Sequence, residues 1–120
     1  MSKFTNISTE TTTTLLQASD HSTSGSNAII GSRFFSVNKI SITNYSASEA
    51  KIVIYQHGQV VDGVTYDDYY IIGDANLTHG IKIPAGVTLV LDDKFTINLL
   101  THILKITNSG TNPALTIRID

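Results

Sequence analysis

The chain has 120 residues, a formal net charge of −2 and no cysteine. This length suits a single domain, and the lack of cysteine excludes disulfides, thiolate metal sites and thiol catalysis. The eight Lys and Arg residues are spread singly along the sequence, which argues against nucleic-acid binding because neutralising phosphates needs clustered cations.

Apolar runs in the sequence are short. The longest, such as IVIY at 52–55 and YYII at 69–72, have four residues, whereas a membrane-spanning helix needs about 20. The opening MSKFTNISTETTTT lacks the apolar stretch of a secretory signal. We therefore expect a protein without a membrane partner that stays soluble in the compartment where it is made.

The composition favours strands over helices. Ile and Thr occur 16 times each, and β-branched side chains lose rotamer freedom in a helix but fit a pleated sheet. No window keeps a 3.6-residue apolar period over three turns, so we expect no long helix.

Residues 1–28 are interpreted as an N-terminal arm, followed by a domain over 29–120. Thirteen of these 28 residues are Ser or Thr, so most of the arm is expected to be disordered, or to become ordered only against a partner. A short strand fits TTTTLLQ at 11–17, and such an arm can add a strand to a neighbour's sheet edge. Its candidate interface residues are Thr11, Thr12, Thr13, Thr14 and Leu15.

From residue 33 onward, short runs with period-two alternation are separated by turn residues. A change of parity near Asn38 and Lys39 predicts a β-bulge. The run KIVIYQ at 51–56 is apolar on both faces, as expected of a central strand. The run VTYDDYYII at 64–72 is read as one strand with Val64, Tyr66, Tyr70 and Ile72 on one face.

The second half of the chain continues the pattern. IPAG at 83–86 predicts a type I turn, with Pro at its second position and Gly86 at its fourth. Val87, Leu89 and Leu91 are expected to face the core in the strand that follows. A final pair of strands is joined by SGTNP at 109–113, with Leu115, Ile117 and Ile119 inward.

These runs add up to about eight short strands with turn signals every 8 to 12 residues. The expected fold is all-β, an antiparallel β-sandwich or jelly roll.

The acids and histidines are the candidate catalytic groups of the sequence. Neighbouring acids in a strand point to opposite faces, so Asp67 with Asp68, or Asp92 with Asp93, cannot present two carboxylates to one substrate outside a turn. Asp92 and Asp93 are interpreted as turn residues. The four histidines lack metal-ligand spacing, and no nucleophile or phosphate-binding motif occurs. We therefore expect no enzyme, no catalytic residue, no cofactor and no metal.

The tyrosines of the middle region are more informative. Tyr66, Tyr69 and Tyr70 lie close together, and Tyr is favoured at interfaces because it is amphipathic and loses little entropy on ordering. They are the second set of interface candidates. The alternative is an ordinary strand with one Tyr face in the core and one at its rim.

Two stretches carry a family resemblance. VNKISITNYSASEAKIVIYQ, and then YYIIGDANLTHGIKIPAGVTLVLDDKFTINLLTHILKITNSGTNPALTIRI after a variable middle, resemble small β-sandwich virion proteins of tailed bacteriophages. The features that match are a strand ending in ITN followed by small residues, an IPAG turn with its strand, and a closing hairpin. The resemblance covers about residues 34–119.

The resemblance implies a virion structural protein assembled in the host bacterial cytoplasm. The first expectation is a capsid decoration protein that binds the major capsid protein and stabilises the head, as a homo-oligomer with a trimer favoured. The alternative is a neck or tail accessory protein, or a fibre-tip adhesin that binds carbohydrate through Tyr66, Tyr69 and Tyr70 with Asp67 and Asp68. A cupin-like enzyme would need a His-rich metal site, whose spacing the sequence lacks.

Overall fold

The computed structural model describes residues 2–21 and 34–120, and this part of the chain is all-β with several antiparallel sheets. One short helical segment, α1 (Ala18–His21), and one 3-10 turn (Leu77–His79) accompany the strands. The strands are β1 (Lys3–Ile7), β2 (Thr12–Leu16), β3 (Phe34–Val37), β4 (Ile40–Asn44), β5 (Ala50–Gly58), β6 (Val60–Val61), β7 (Val64–Thr65), β8 (Tyr69–Ile72), β9 (Ile81–Ile83), β10 (Thr88–Leu91), β11 (Phe95–Asn98), β12 (His102–Asn108) and β13 (Leu115–Ile119).

Two larger sheets organise the domain. The first has the strand order β1-β13-β4-β10, and the second has the order β2-β12-β5-β8, with β9 also paired to β5. Four connections cross directly between the two larger sheets: β1 to β2, β4 to β5, β9 to β10 and β12 to β13. The predicted closing hairpin is therefore wrong, because β12 and β13 belong to different sheets and SGTNP crosses between them.

One apolar core takes side chains from both larger sheets. The inward faces of Leu115, Ile117 and Ile119 are buried as predicted. The prediction for KIVIYQ is also confirmed, because β5 lies between β12 on one side and β8 and β9 on the other. The buried cluster consists of Ile7, Leu15, Leu16, Val37, Ile40, Ile42, Ala50, Ile52, Ile54, Ile83, Ile97, Leu99, Leu104, Ile106, Leu115, Ile117 and Ile119.

The N-terminal segment belongs to this core. Strand β1 pairs with β13 and strand β2 pairs with β12. The short strand expected at 11–17 is therefore confirmed, whereas the expectation of disorder does not hold for these two strands. The argument from composition failed because Ile7, Leu15 and Leu16 reach the core, while the threonines of these strands occupy exposed or half-buried positions. The proposed arm boundary at residues 28 and 29 lies outside the described residues.

Residues 34–44 form two separate strands, β3 and β4, instead of one strand with the predicted bulge. Strand β3 pairs with β11 in a separate two-stranded sheet, while β4 belongs to the first large sheet. The backbone amides of Asn38 and Lys39 donate to the Asp120 carbonyl at 2.7 and 3.2 Å. Asp92 and Asp93 lie exposed in the link between β10 and β11, so they connect two strands as predicted, although the link is not the predicted turn.

The turn after β9 differs in type from the prediction. The Val87 amide donates to the Pro84 carbonyl at 3.2 Å, so Pro84 is the first turn residue and Gly86 the third. Gly86 has φ of +76°, which a type II turn requires at that position and glycine supplies without strain. Val87 precedes β10 and is exposed, whereas Leu89 and Leu91 pack against the core.

A buried asparagine ends the strand before each of two crossings between the sheets. Asn44 follows Ile42 and Thr43 at the end of β4, and Asn108 follows Ile106 and Thr107 at the end of β12. The Asn44 amide donates to the carbonyls of Ser48 and Ile83 at 2.9 and 2.8 Å, and its Oδ1 accepts from Ser46. Asn44 thus ties the crossing after β4 to the end of β9.

Candidate functional site

The three predicted interface tyrosines do not form one site. VTYDDYYII is split into β7 and β8 by a link at residues 66–68. Tyr66 and Tyr69 contact the His102 ring, whereas Tyr70 stacks on Tyr55 with 5.3 Å between ring centroids. The separation arises because neighbouring residues of a strand point to opposite faces, so Tyr69 and Tyr70 diverge.

His102 organises the first of these two groups. It is nearly buried at the start of β12, with the Tyr69 ring stacked on it at 5.0 Å and the Tyr66 ring edge-on at 5.9 Å. Its Nε2 lies 2.9 Å from the Asp67 carbonyl oxygen, so Nε2 carries a proton and donates there, and its Nδ1 pairs with the Thr101 hydroxyl. Both ring nitrogens are satisfied, which makes His102 a structural residue that holds the tyrosine link.

Asp68 clamps the same link to the end of β5. Its Oδ1 accepts from the Gly58 amide at 2.8 Å and lies 3.0 Å from His57 Nδ1. A Cβ on Gly58 would lie 1.9 Å from the Tyr66 carbonyl oxygen, so only glycine allows this approach. The Asp68 carboxylate is thus bonded to the backbone at the end of β5, while Asp67 contributes its backbone carbonyl to His102.

Four exposed apolar side chains gather around this link and define what we call the apolar end: Val60, Val64, Tyr69 and Leu100. Val60 and Val64 belong to the paired strands β6 and β7. Leu100 lies in the turn before β12, which is joined to Gln59 by a hydrogen bond from the Gln59 amide to the Thr101 carbonyl at 2.9 Å. The register pairs Val60 with Thr65 and Val61 with Val64, so Val60 and Val64 point to opposite faces of this two-stranded ribbon. Exposed apolar side chains that lie near one end of a domain mark an interaction site more often than scattered ones do.

The arm candidates occupy mixed positions. Leu15 is fully buried, so it is unavailable to a partner. The Thr12 hydroxyl bonds to the Thr107 hydroxyl at 2.9 Å on the outer face of the second sheet, and Thr14 lies opposite Lys105. Thr11 is exposed just before β2, and Thr13 is half-buried. Within one chain, this segment adds its strand to the chain's own sheet.

No protein-family model, curated protein or solved structure matches the chain.

Two further features are absent from the described residues. No helix in residues 2–21 and 34–120 is long and apolar enough to cross a membrane. Within the same ranges, no three or more His, Asp or Glu side chains are grouped so that they could hold a metal ion.

A second group of side chains lies on the outer face of the sheet that contains β5. Val53, Tyr55 and Thr107 alternate along β5 and β12 with core residues, so they face away from the core. The segment that follows β8 folds over them and leaves a pocket of about 80 Å³. We call it the Tyr55–Tyr70 pocket; its main lining residues are Val53, Tyr55, Tyr70, Asp74, Leu77 and Thr107.

Sequence reasoning missed three parts of these groups, namely Tyr55, Asp74 and His102. For His102 a signal was available, since it shares even parity with Leu104 and Ile106 and is therefore expected inward. Tyr55 and Asp74 come together only through the pairing of β5 with β8 and the loop that follows, which local patterning does not encode.

Asp74 is held by its own loop. Its Oδ2 lies 2.7 Å from His79 Nδ1, and its Oδ1 accepts from the Asn76 amide at 2.8 Å. The hydrogen bond from His79, followed by that from Asn76, lowers the pKa of the Asp74 carboxyl below its ordinary value. The loop thus favours the ionised carboxylate.

This pKa shift predicts a pH-dependent contribution to stability. Because the folded-state pKa lies below the unfolded-state value, the contribution is present above the ordinary Asp pKa and is lost as the pH falls through the lowered one. Urea denaturation should therefore show a stability difference between wild type and Asp74→Asn that shrinks from about pH 5 to about pH 2. His79→Ala should reduce the same difference, and a difference that stays constant with pH would contradict the assignment.

Proposed function

We propose that the chain is a bacteriophage virion structural protein, in the first instance a capsid decoration protein that binds the outer surface of the head and stabilises it. The observation that carries the proposal is the apolar end, where Val60 and Leu100 remain 68% and 47% exposed. A well-packed domain that leaves such side chains exposed near one end has a region suited to covering by another protein.

The strand orders support the same proposal. The orders β1-β13-β4-β10 and β2-β12-β5-β8, between which the chain crosses four times, are those expected of a jelly roll, with β9 as an additional strand beside β5. Jelly rolls recur in viral capsid and lectin domains. One fold serves many functions, so the topology only supports the proposal. The apolar end supplies the binding surface that the proposal needs.

Attachment in many copies suits a surface of this size. Four exposed apolar side chains give a modest contact, yet equivalent contacts repeated on a symmetric shell add up to firm attachment through effective concentration. We propose the major capsid protein as the partner, a homo-oligomer with a trimer favoured as the binding unit, and the virion as the location, after assembly in the bacterial cytoplasm. A neck or tail accessory role would use the same surface against a different virion protein.

Binding to assembled heads tests the proposal. Purified protein should bind heads that lack it and raise their melting temperature. The Val60→Ser and Leu100→Ser double variant should bind at least about tenfold more weakly, since desolvated apolar contacts dominate such interfaces.

Val90→Ser is the matched control. Val90 is also half exposed, but it lies on β10 in the other sheet, so its loss should leave binding unchanged. Sedimentation of heads with bound protein measures both variants. Wild-type protein that does not bind heads would overturn the proposal, and an equal loss for Val90→Ser would show that the apolar end is not the contact.

A further inference from the structure

The Tyr55–Tyr70 pocket has the construction of a small ligand site. Its floor is Val53, which is 3% exposed although it faces away from the core, because the loop after β8 covers it. Its walls are the stacked rings of Tyr55 and Tyr70 together with Leu77, and its polar groups are Asp74 and Thr107. Binding pockets share this combination of apolar lining and few fixed polar groups. We propose that this pocket binds one neutral sugar ring of a glycan.

The aromatic wall suits a sugar because a pyranose ring has apolar C–H faces and a hydroxyl rim. Tyr70 lies on strand β8 and is 39% exposed. A tyrosine offers both a ring surface for the C–H groups and a hydroxyl for the rim. Because the Tyr55 ring stacks on the Tyr70 ring, the Tyr70 side chain is already held in place. Little side-chain entropy is therefore lost when a sugar binds.

The polar side of the pocket matches hydroxyl groups. Each carboxylate oxygen of Asp74 already takes part in one contact, with Asn76 or with His79, and a carboxylate oxygen can accept a second hydrogen bond. These contacts hold Asp74 in place as an acceptor for sugar hydroxyls. The Thr107 hydroxyl, paired with that of Thr12, adds a group that can donate or accept.

The charge of the pocket disfavours an anionic sugar. Asp74 is the one formally charged residue of the lining in the described part of the chain. A tyrosine hydroxyl is protonated at neutral pH and can donate, and burial, followed by the charges of Asp68, Tyr55 and Asp74, raises the pKa of Tyr70 further. A neutral sugar can therefore bind without electrostatic repulsion, whereas the carboxylate of an acidic sugar would be repelled by the Asp74 carboxylate.

The pocket is formed before any ligand arrives. Gly73 starts the covering loop with φ of +76°, and a Cβ on Gly80 at its other end would lie 2.4 Å from the Ile52 carbonyl oxygen. The loop is thus seated directly on β5 at both ends. At about 80 Å³ the pocket is smaller than typical sites for drug-sized ligands, so it holds part of a single ring while the rest of a glycan extends into solvent.

Sugar binding in this pocket is independent of attachment to a virion, so it can be tested with the isolated protein. Methyl glycosides of glucose, galactose and mannose would be titrated against labelled protein by heteronuclear NMR. At least one is expected to bind with a Kd of roughly millimolar strength, with shift changes centred on Val53, Tyr55, Tyr70 and Thr107.

Variants separate this pocket from other surface tyrosines. Tyr70→Ala and Asp74→Asn should each weaken binding by about tenfold, and Asp74→Asn keeps the shape of the pocket if Tyr70→Ala disturbs the fold. Tyr45→Ala is the control, because Tyr45 is similarly exposed but lies after β4 at a different position; it should bind as wild type does.

Three outcomes would overturn the proposal. The first is the absence of any shift change with all three glycosides, and the second is binding that Tyr70→Ala and Asp74→Asn leave intact. The third is tighter binding of tetramethylammonium than of every glycoside, because aromatic rings beside a carboxylate would then serve as a cation site. Methyl glucuronide is expected to bind at least about tenfold more weakly than the best neutral glycoside, and equal binding would refute the role given to Asp74.

Discussion

Leu15→Ala is expected to destabilise the fold by about 2–5 kcal/mol, the range for removing a buried leucine side chain. Leu15 is completely buried in the shared core although it follows a run of four threonines. Truncation loses the transfer free energy of the side chain and leaves a cavity that the surrounding strands close only in part. Chemical denaturation monitored by circular dichroism measures the change.

Phe4→Ala provides the control from the same segment. Phe4 lies on β1, but it is 61% exposed, and the Arg118 guanidinium lies over its ring at 5.6 Å from the centroid. Its removal should cost about 1 kcal/mol or less. If Leu15→Ala cost no more than Phe4→Ala, the N-terminal segment would not be part of the core.

Asn44→Ala is expected to cost about 3 kcal/mol, because it leaves buried backbone carbonyls without their donor. Asn44 is fully buried, and its side-chain amide donates to Ser48 and Ile83 while its oxygen accepts from Ser46. The loss should also loosen the turn after β9, whose Gly86 amide donates to the Asn44 carbonyl at 2.7 Å. Proton exchange at Gly86, measured by NMR, is expected to quicken.

Asn108→Ala is the matched comparison, since it ends an identical Ile-Thr-Asn sequence and is equally buried. Its amide donates to the Thr9 carbonyl at 3.1 Å, and its Oδ1 has no hydrogen-bond partner among the residues that the structure describes. With one side-chain hydrogen bond to lose, it should cost about 1 kcal/mol. A cost for Asn108→Ala as large as that for Asn44→Ala would show that the hydrogen bonds of Asn44 do not set its importance.

Alternation predicted which faces are buried better than it predicted which strands are neighbours. Leu115, Ile117 and Ile119 face inward as expected, because a period of two fixes the face of each side chain. Whether SGTNP forms a hairpin or crosses between sheets is decided by the core on both sides of it, which the local sequence does not describe.

The N-terminal segment shows the limit of arguments from composition. An average over residues 1–28 is dominated by Ser and Thr, yet burial depends on where Ile7, Leu15 and Leu16 stand relative to two strand partners more than 80 residues away in sequence. The candidate pocket was missed for a similar reason. It is assembled from β5, β8, β12 and a loop, and Tyr70 was the one lining residue that clustering in sequence had indicated.

The pairing of β1 with β13, which sets Lys3 opposite Ile119, has a consequence for synthesis in the cell. Neither β1 nor β2 can find its neighbour until residues 102–119 have been translated, so both wait without a partner for roughly 10 s at ordinary elongation rates. Long-range pairing of this kind also slows folding itself. During that delay a more apolar segment would invite aggregation, and the many hydroxyl side chains of residues 1–28 reduce this hazard for the nascent chain.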